Sequence, residues 1–128
     1  MKEFLIVAAG GGIGACVRYA LSGFILHHTI QHKFPFGTFT VNVLGCLIAG
    51  LLLALAEKYD LLASDIRIFL FTGVLGGFTT FSAFGVETVY LIRRNELMIA
   101  TSYIVFSLFF GLLALWLAYN AIPGKKIH

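Results

Sequence analysis

Charged side chains are scarce in this chain of 128 residues. Asp, Glu, Lys and Arg make up 12% of it, whereas about 25% is usual in soluble domains. Hydrophobic residues make up 59%, and the mean hydropathy is +0.95. A fold of this size would need more polar side chains than the chain has to cover its surface in water. The composition therefore excludes a soluble globular enzyme and predicts an integral membrane protein in contact with the lipid bilayer.

The chain also lacks a basic face, a cysteine framework and a catalytic set. The net charge is +3, but the basic residues are scattered between apolar runs, which disfavours nucleic acid as a partner. Cys16 and Cys46 lie inside apolar runs, so we interpret them as reduced packing residues. His27, His28 and His32 cluster in a connector, where an interfacial position is favoured over metal binding. No nucleophile and base pair is recognisable, so we expect no enzyme.

Four apolar segments are long enough to cross a bilayer. A hydrocarbon core about 30 Å thick needs roughly 20 apolar residues per helix. The segments that meet this requirement are residues 4–26, 36–56, 66–92 and 97–122. The connectors 27–35, 57–65 and 93–96 are too short to fold alone. The sequence therefore predicts an all-α, single four-helix transmembrane domain over residues 1–128, multi-pass in the cell inner (cytoplasmic) membrane.

The basic residues are nearly balanced between the two sides of the membrane. With four spans, both termini share one side with the 57–65 connector. Five basic residues lie on that side and three on the other: Lys2, Lys58, Arg67, Lys125 and Lys126 against Lys33, Arg93 and Arg94. An excess of Lys and Arg normally sets orientation, and here two C-terminal lysines supply all of it. We predict insertion in both orientations and an antiparallel, dual-topology homodimer; the alternative is one orientation with cytoplasmic termini.

Small and polar residues recur at helical spacing in the first span. Gly10, Gly14, Arg18 and Ser22 follow one another every four residues. The two glycines permit close approach of another helix. Polar groups inside a span tend to face protein or water, so we expect Arg18 to lie at a vestibule or in a packing seam.

Asn42 is the most informative polar residue of the second span. Its amide offers two N–H donors and one acceptor, and an unpaired amide in hydrocarbon costs several kcal/mol. Asn42 either forms hydrogen bonds between helices or donates a hydrogen bond to a ligand. Thr38 lies one turn earlier and is placed to orient the Asn42 side chain. In the fourth span, Tyr103, Ser107 and Gly111 share a four-residue spacing that directs hydroxyls toward the same interior.

Paired glycines and paired threonines make the third span unusual. The pairs Gly76-Gly77 and Thr79-Thr80 weaken a helix at one point, so we predict a broken third helix near residues 76–80. Carbonyls freed at membrane depth become available as ligands, and oxygen ligands suit a hard cation. In an antiparallel dimer the two breaks could meet on the two-fold axis and share one ion.

Two phenylalanines follow the predicted break. Phe81 and Phe84 lie on one helical face, with Ser82 between them. The partial positive charge on an aromatic ring edge favours an anion without a titratable group. Glu87 lies well past the break, nearer a vestibule.

Three motifs together carry a family resemblance. Residues 11–19 read GGIGACVRY, residues 37–45 read GTFTVNVLG, and residues 76–84 read GGFTTFSAF. These motifs resemble the Fluc (CrcB) fluoride channels. Length, span count and charge balance extend the resemblance to the whole chain.

The resemblance implies a dual-topology homodimer with two narrow pores that exports fluoride passively and gives fluoride resistance. By position, Asn42 would donate hydrogen bonds to fluoride, and Phe81 and Phe84 would line its path. The supporting polar groups would be Ser82, Thr38, Tyr103 and Ser107. A structural sodium ion at the dimer interface would be held by main-chain oxygens of Gly76 and Thr79 from both subunits, with Arg18 near a pore entrance or a packing site.

Two other functions remain open. A small multidrug-type dual-topology exporter also has four spans, but its mechanism needs a carboxylate in the first span, where this chain has Arg18 and small residues. A non-transporting membrane assembly subunit is the third possibility. Ion release from liposomes, first with fluoride and then with chloride, distinguishes these functions.

Overall fold

Helices account for all regular secondary structure in residues 1–124, which are the residues that the computed structural model describes. The first two helices are α1 (Lys2–His28) and α2 (Phe36–Lys58). Helix α3 has three successive parts, an α-helical turn (Ser64–Arg67), a π-helix (Ile68–Leu75) and a last short α-helical part (Gly76–Phe78). It is followed by α4 (Phe81–Arg93) and α5 (Leu97–Ala121). Lys125 and Lys126, which supply the excess in the basic count, lie outside the described residues.

These helices form four candidate membrane spans, as the sequence predicts. The spans are Lys2–His28, Phe36–Lys58, Ser64–Arg93 and Leu97–Ala121, each long and apolar enough to cross a bilayer. Helices α3 and α4 together make the third span. Every predicted end lies within two residues of the observed one. Among residues 1–124 few side chains are fully buried; Val41, Ala54 and Tyr103 have 0% exposure. Much of the apolar surface therefore faces outward, as expected for a protein surrounded by lipid.

Glycines bring the helices into backbone contact. Helix α1 packs mainly on α3, and α2 packs mainly on α5. A Cβ atom at Gly10 would lie 2.7 Å from the Phe69 carbonyl oxygen, and one at Gly14 would lie 2.1 Å from the Val74 oxygen. The close approach predicted for Gly10 and Gly14 is therefore confirmed, and any larger residue there would force α1 and α3 apart.

Ion pairs connect the segments that a four-span topology places on the same side. Lys2 Nζ lies 3.0 Å from Asp65 Oδ2, which ties the start of α1 to the start of α3. On the other side, Lys33 pairs with Glu96, which ties the 27–35 connector to the loop before α5. These contacts support the division of basic residues between two sides.

A tight turn reverses the chain between α4 and α5. Asn95 has a φ of 60°, in the left-handed region that Asn tolerates better than most residues. The Asn95 N–H donates to the Ile92 carbonyl at 2.9 Å, and the Glu96 N–H donates to the Leu91 carbonyl at 2.8 Å. These two bonds form a Schellman motif that satisfies the last carbonyls of α4.

Candidate functional site

The third span changes its backbone geometry twice before α4 begins. The π-helix is the first change, and π-helical turns inside α-helices are frequent at functional sites. The second change lies at Thr79 (φ −84°, ψ 153°) and Thr80 (φ −148°, ψ 117°), whose backbone is extended. Thr80 then caps α4, because its Oγ1 accepts a hydrogen bond from the Ala83 N–H at 3.1 Å. The span therefore bends at Thr79 and Thr80.

The extended backbone leaves several carbonyls without helical partners. The Gly77 oxygen accepts a hydrogen bond from Arg18 Nε at 3.0 Å, and the Thr80 oxygen accepts one from Asn42 Nδ2 at 3.0 Å. In the part of the chain that the structure describes, no hydrogen bond is accepted by the carbonyls of Gly76, Phe78 and Thr79. These three oxygens are free to act as ligands.

Asn42 holds both backbone polar groups of Thr80. In addition to the bond from Nδ2, Asn42 Oδ1 accepts a hydrogen bond from the Thr80 N–H at 2.8 Å. Only one orientation of the amide satisfies both contacts, because the opposite one would set donor against donor. The NH₂ group carries two hydrogens, and one bond to Thr80 uses one of them. Asn42 therefore joins α2 to the third span and keeps a second donor.

A cavity of about 430 Å³ lies where α2, the bend of the third span and α5 meet. Six predicted site residues line it: Asn42, Gly76, Thr79, Phe81, Phe84 and Ser107. The Ser107 hydroxyl is buried and has no hydrogen-bond partner within residues 1–124. The Phe81 and Phe84 ring centroids are 5.7 Å apart, and Phe81 is 83% exposed in the single chain. One cavity thus combines an amide, an unpartnered hydroxyl and an aromatic pair.

Gly45 allows α2 to approach this cavity closely. A Cβ atom at Gly45 would lie 2.3 Å from Thr79 Cγ2. Thr79 is itself held in place, because its Oγ1 donates to the Leu75 carbonyl at 2.8 Å. A larger residue at position 45 would push α2, and Asn42 with it, away from the bend.

Thr38, Glu87 and Tyr103 form a separate hydrogen-bonded cluster. Thr38 Oγ1 donates to Glu87 Oε1 at 2.6 Å, and the Tyr103 hydroxyl donates to Glu87 Oε2 at 2.7 Å. The expectation that Thr38 orients Asn42 is therefore wrong, because the hydroxyl is committed to Glu87 and the Asn42 amide is oriented by Thr80. Thr38 and Glu87 line a larger cavity of about 620 Å³. The Tyr103 ring lies 5.0 Å from the Phe84 ring, which joins the cluster to the smaller cavity.

Ser82 and Arg18 stand apart from both cavities. Ser82 is exposed, lines neither cavity, and has its Oγ 3.3 Å from Thr80 Oγ1. Arg18 contacts the bend through Gly77. Sequence reasoning did not single out Gly77 and Thr80 as partners of Arg18 and Asn42. The available signal was that two polar side chains in neighbouring spans each needed an acceptor, and a bend supplies acceptors.

Comparison with known proteins gives consistent matches over almost the whole chain. Residues 5–119 match the family described as "CrcB-like protein, Camphor Resistance (CrcB)". A "Fluoride-specific ion channel FluC" from Methylobacillus flagellatus is 47% identical over 122 residues, 95% of each chain. A protein of the same name from Flavobacterium psychrophilum is 41% identical over 116 residues, 91% of this chain and 93% of the relative. "Fluoride-specific ion channel FluC 3" from Methanosarcina barkeri is 38% identical over 128 residues, 100% of this chain and 96% of the relative.

Proposed function

This chain belongs to the CrcB family of fluoride channels, and we propose that fluoride crosses it along the cavity lined by Asn42, Phe84 and Ser107. It is a multi-pass membrane protein and a channel rather than an enzyme, so transport is passive and follows the fluoride gradient. In a cell that contains fluoride, the result is export from the cytoplasm and resistance to fluoride. The assignment of this cavity depends on the Ser107 hydroxyl, which is buried and has no hydrogen-bond partner among residues 1–124.

Donors in this cavity suit a small, strongly hydrated anion. A dry pore conducts fluoride only if protein groups replace the water that the ion loses. The second Asn42 N–H and the Ser107 O–H are donors not used by other described protein groups. Both belong to neutral side chains, so they bind an anion weakly enough to release it again. Phe81 and Phe84 add ring edges, whose partial positive charge favours an anion over a cation.

A second copy of the chain completes the path. Phe81 is 83% exposed in the single chain, although it lines the same cavity as Asn42. An aromatic side chain that lines a pore needs cover on its outer side. We propose that an antiparallel copy supplies this cover and that the homodimer has dual topology, in agreement with the near balance of basic residues between the two sides.

The residues at the bend fit a structural sodium ion. The carbonyls of Gly76 and Thr79 accept no hydrogen bond within residues 1–124, and neutral oxygens are suitable ligands for a hard cation. Gly76 and Thr79 of both subunits would hold the ion at the dimer interface, where its charge would tie the two bends together. Within the described residues there is no group of three His, Cys, Asp or Glu side chains that could hold a metal ion.

A buried hydroxyl without a partner provides a sharp test of the fluoride path. Ser107→Ala removes a donor whose burial is unfavourable for folding, so the free energy of unfolding should change by less than about 0.5 kcal/mol or increase. Fluoride efflux from liposomes should nevertheless fall. The matched control is Ser102→Ala on the same helix, which should leave efflux unchanged because Ser102 lies outside this cavity. Unchanged efflux in Ser107→Ala would remove this residue from the path.

The alternatives are less well supported. An exporter of the small multidrug type needs a carboxylate in the first span, and α1 has only Glu3, in its first turn. Glu87 is the carboxylate inside the third span, and both of its oxygens accept hydrogen bonds from neighbouring side chains. A non-transporting subunit would not require a buried donor that has no hydrogen-bond partner in the described part of the chain and lies beside an aromatic pair.

A further inference from the structure

Two side chains from two different helices determine which carbonyls at the bend have a hydrogen-bond partner. Arg18 of α1 donates to the Gly77 oxygen, and Asn42 of α2 donates to the Thr80 oxygen. The remaining carbonyls of the segment, which accept no hydrogen bond within residues 1–124, are those of Gly76, Phe78 and Thr79. The free set includes both proposed sodium ligands and excludes the two oxygens that side chains hold.

Arg18 substitutes for a helical donor that the bend removes. In a continuous α-helix the Gly77 carbonyl would accept the N–H of the residue four positions later, Phe81. Because the backbone is extended at Thr79 and Thr80, the Phe81 N–H does not reach the Gly77 carbonyl. A Cβ atom at Gly77 would lie 2.3 Å from the Gly11 oxygen, so α1 passes close enough for Arg18, about two helical turns after Gly11, to reach this carbonyl.

The charge of Arg18 makes its position unusual. It is the only charged residue in the predicted first span, residues 4–26, and within residues 1–124 it takes part in no ion pair. A charged side chain inside a span is costly and usually functional. Its positive charge alone would repel a nearby cation, whereas its hydrogen bond orders the backbone that would hold one. The charge of Arg18 would lower the affinity for a cation, whereas its hydrogen bond would raise it. A measurement of cation affinity therefore separates the two effects.

We propose that Arg18 is a positioning residue for the cation site. By holding the Gly77 carbonyl, it keeps that oxygen away from the ion and sets the direction of the neighbouring Gly76 carbonyl. On the other side of Thr79, Asn42 binds the Thr80 carbonyl, which keeps that oxygen away from the ion as well. This role rests on the proposed sodium site. Helix α1 lines no part of the smaller cavity, so the role of Arg18 would be its contribution to the organisation of the channel.

The test is the sodium dependence of thermal stability in the purified full-length protein. The unfolding temperature is measured against sodium concentration, with N-methyl-D-glucamine replacing sodium at constant ionic strength. Arg18→Met keeps an apolar stem and removes the donor. It should raise the sodium concentration for half-maximal stabilisation at least about tenfold, which is typical for the loss of a group that orients a metal ligand. Arg18→Gln, whose amide is too short to replace the guanidinium, should shift it in the same direction.

A control variant and the wild type separate this role from others. Lys58→Met removes two hydrogen bonds to carbonyls at the end of α5, each 2.7 Å long, and should lower stability without moving the sodium midpoint. A midpoint unchanged or lowered in the Arg18 variants that fold would overturn the positioning role, since a lowered midpoint is the result expected from charge alone. A wild type indifferent to sodium would instead overturn the sodium site, and the role of Arg18 with it.

Discussion

The amide of Asn42 binds both polar backbone groups of Thr80, accepting from its N–H at 2.8 Å and donating to its carbonyl at 3.0 Å. Thr80 is the residue at which helical hydrogen bonding is lost in the third span. One side chain of α2 thus supplies hydrogen-bond partners for both backbone polar groups of Thr80. Asn42 also lines the smaller cavity, so the residue that stabilises the bend is the one proposed to donate its second N–H to fluoride.

The first prediction concerns the exchange of this amide for a carboxylate. Asn42→Asp keeps the size but replaces the donor with an acceptor that faces the Thr80 carbonyl. An ionised side chain would also repel fluoride at a point where screening is weak. Loss of a hydrogen bond to a charged ligand, about 1.5–3 kcal/mol, corresponds to a fall in fluoride efflux of roughly 10- to 150-fold.

Asn120→Asp is the matched control for this change. Asn120 is exposed, and within residues 1–124 its amide donates only to the Trp116 carbonyl of its own helix. Efflux from liposomes is compared after normalisation to folded dimer. Equal efflux in Asn42→Asp and Asn120→Asp would show that the Asn42 amide does not serve the ion.

The second prediction concerns the aromatic pair. Phe81→Ile and Phe84→Ile each remove a ring edge. By analogy with aromatic pairs, we take its interaction with the anion as about 1 kcal/mol, so each replacement should slow fluoride efflux roughly fivefold. Phe81 is 83% exposed in the single chain, so its replacement should change the free energy of unfolding of one subunit by less than about 0.5 kcal/mol. Phe84 packs on Tyr103, and its replacement should cost up to about 1.5 kcal/mol. Phe109→Ile, at an exposed position of α5, serves as the control and should leave efflux unchanged.

The third prediction concerns the cluster around Glu87. Thr38→Val and Tyr103→Phe each remove one donor from this carboxylate and should each lower the free energy of unfolding by about 1–3 kcal/mol. Because both hydroxyls serve the same acceptor, the double variant should show a coupling of about 0.5–3 kcal/mol. Chemical unfolding of the four proteins in detergent measures this coupling. Strictly additive losses would mean that the two hydroxyls act independently.

The fourth prediction concerns orientation in the membrane. Leu61→Lys with Ala63→Lys, at two exposed positions of the 57–65 connector, raises the basic count on the terminal side from five to seven against three. This excess should bias insertion toward cytoplasmic termini and reduce transport per molecule. Orientation is read by labelling single-cysteine variants from each side. Full transport by a chain inserted in one orientation alone would argue against the dual-topology dimer.

Much of the fold could be predicted from the sequence because the signals are long and local. Each span is an apolar run of the required length, and charged or polar connectors mark its ends to within two residues. The close approach of α1 was visible in the spacing of Gly10 and Gly14, since spacing of four residues places both on one helical face.

The site was less predictable because its hydrogen bonds join residues that are far apart in sequence. Thr38 lies one turn from Asn42, which made it the expected partner, but Glu87 lies beside it in space. The π-helix (Ile68–Leu75) has no recognisable signature, because its apolar residues would equally suit an α-helix. Asn42, Phe81 and Phe84 lie in the family motifs, whereas Ser107 was indicated by its spacing from Tyr103. Only the structure reveals that the Ser107 hydroxyl is buried and has no hydrogen-bond partner within residues 1–124.

The most direct measurement of the central claim is ion release from liposomes that contain the purified protein and equal concentrations of fluoride and chloride. The proposed fluoride path through the cavity of Asn42, Phe84 and Ser107 predicts that fluoride leaves rapidly while chloride stays, because neutral donors in a narrow pore would replace the hydration of the small ion and exclude the larger one. Release of chloride at the rate of fluoride, or fluoride retention equal to that of protein-free liposomes, would contradict it.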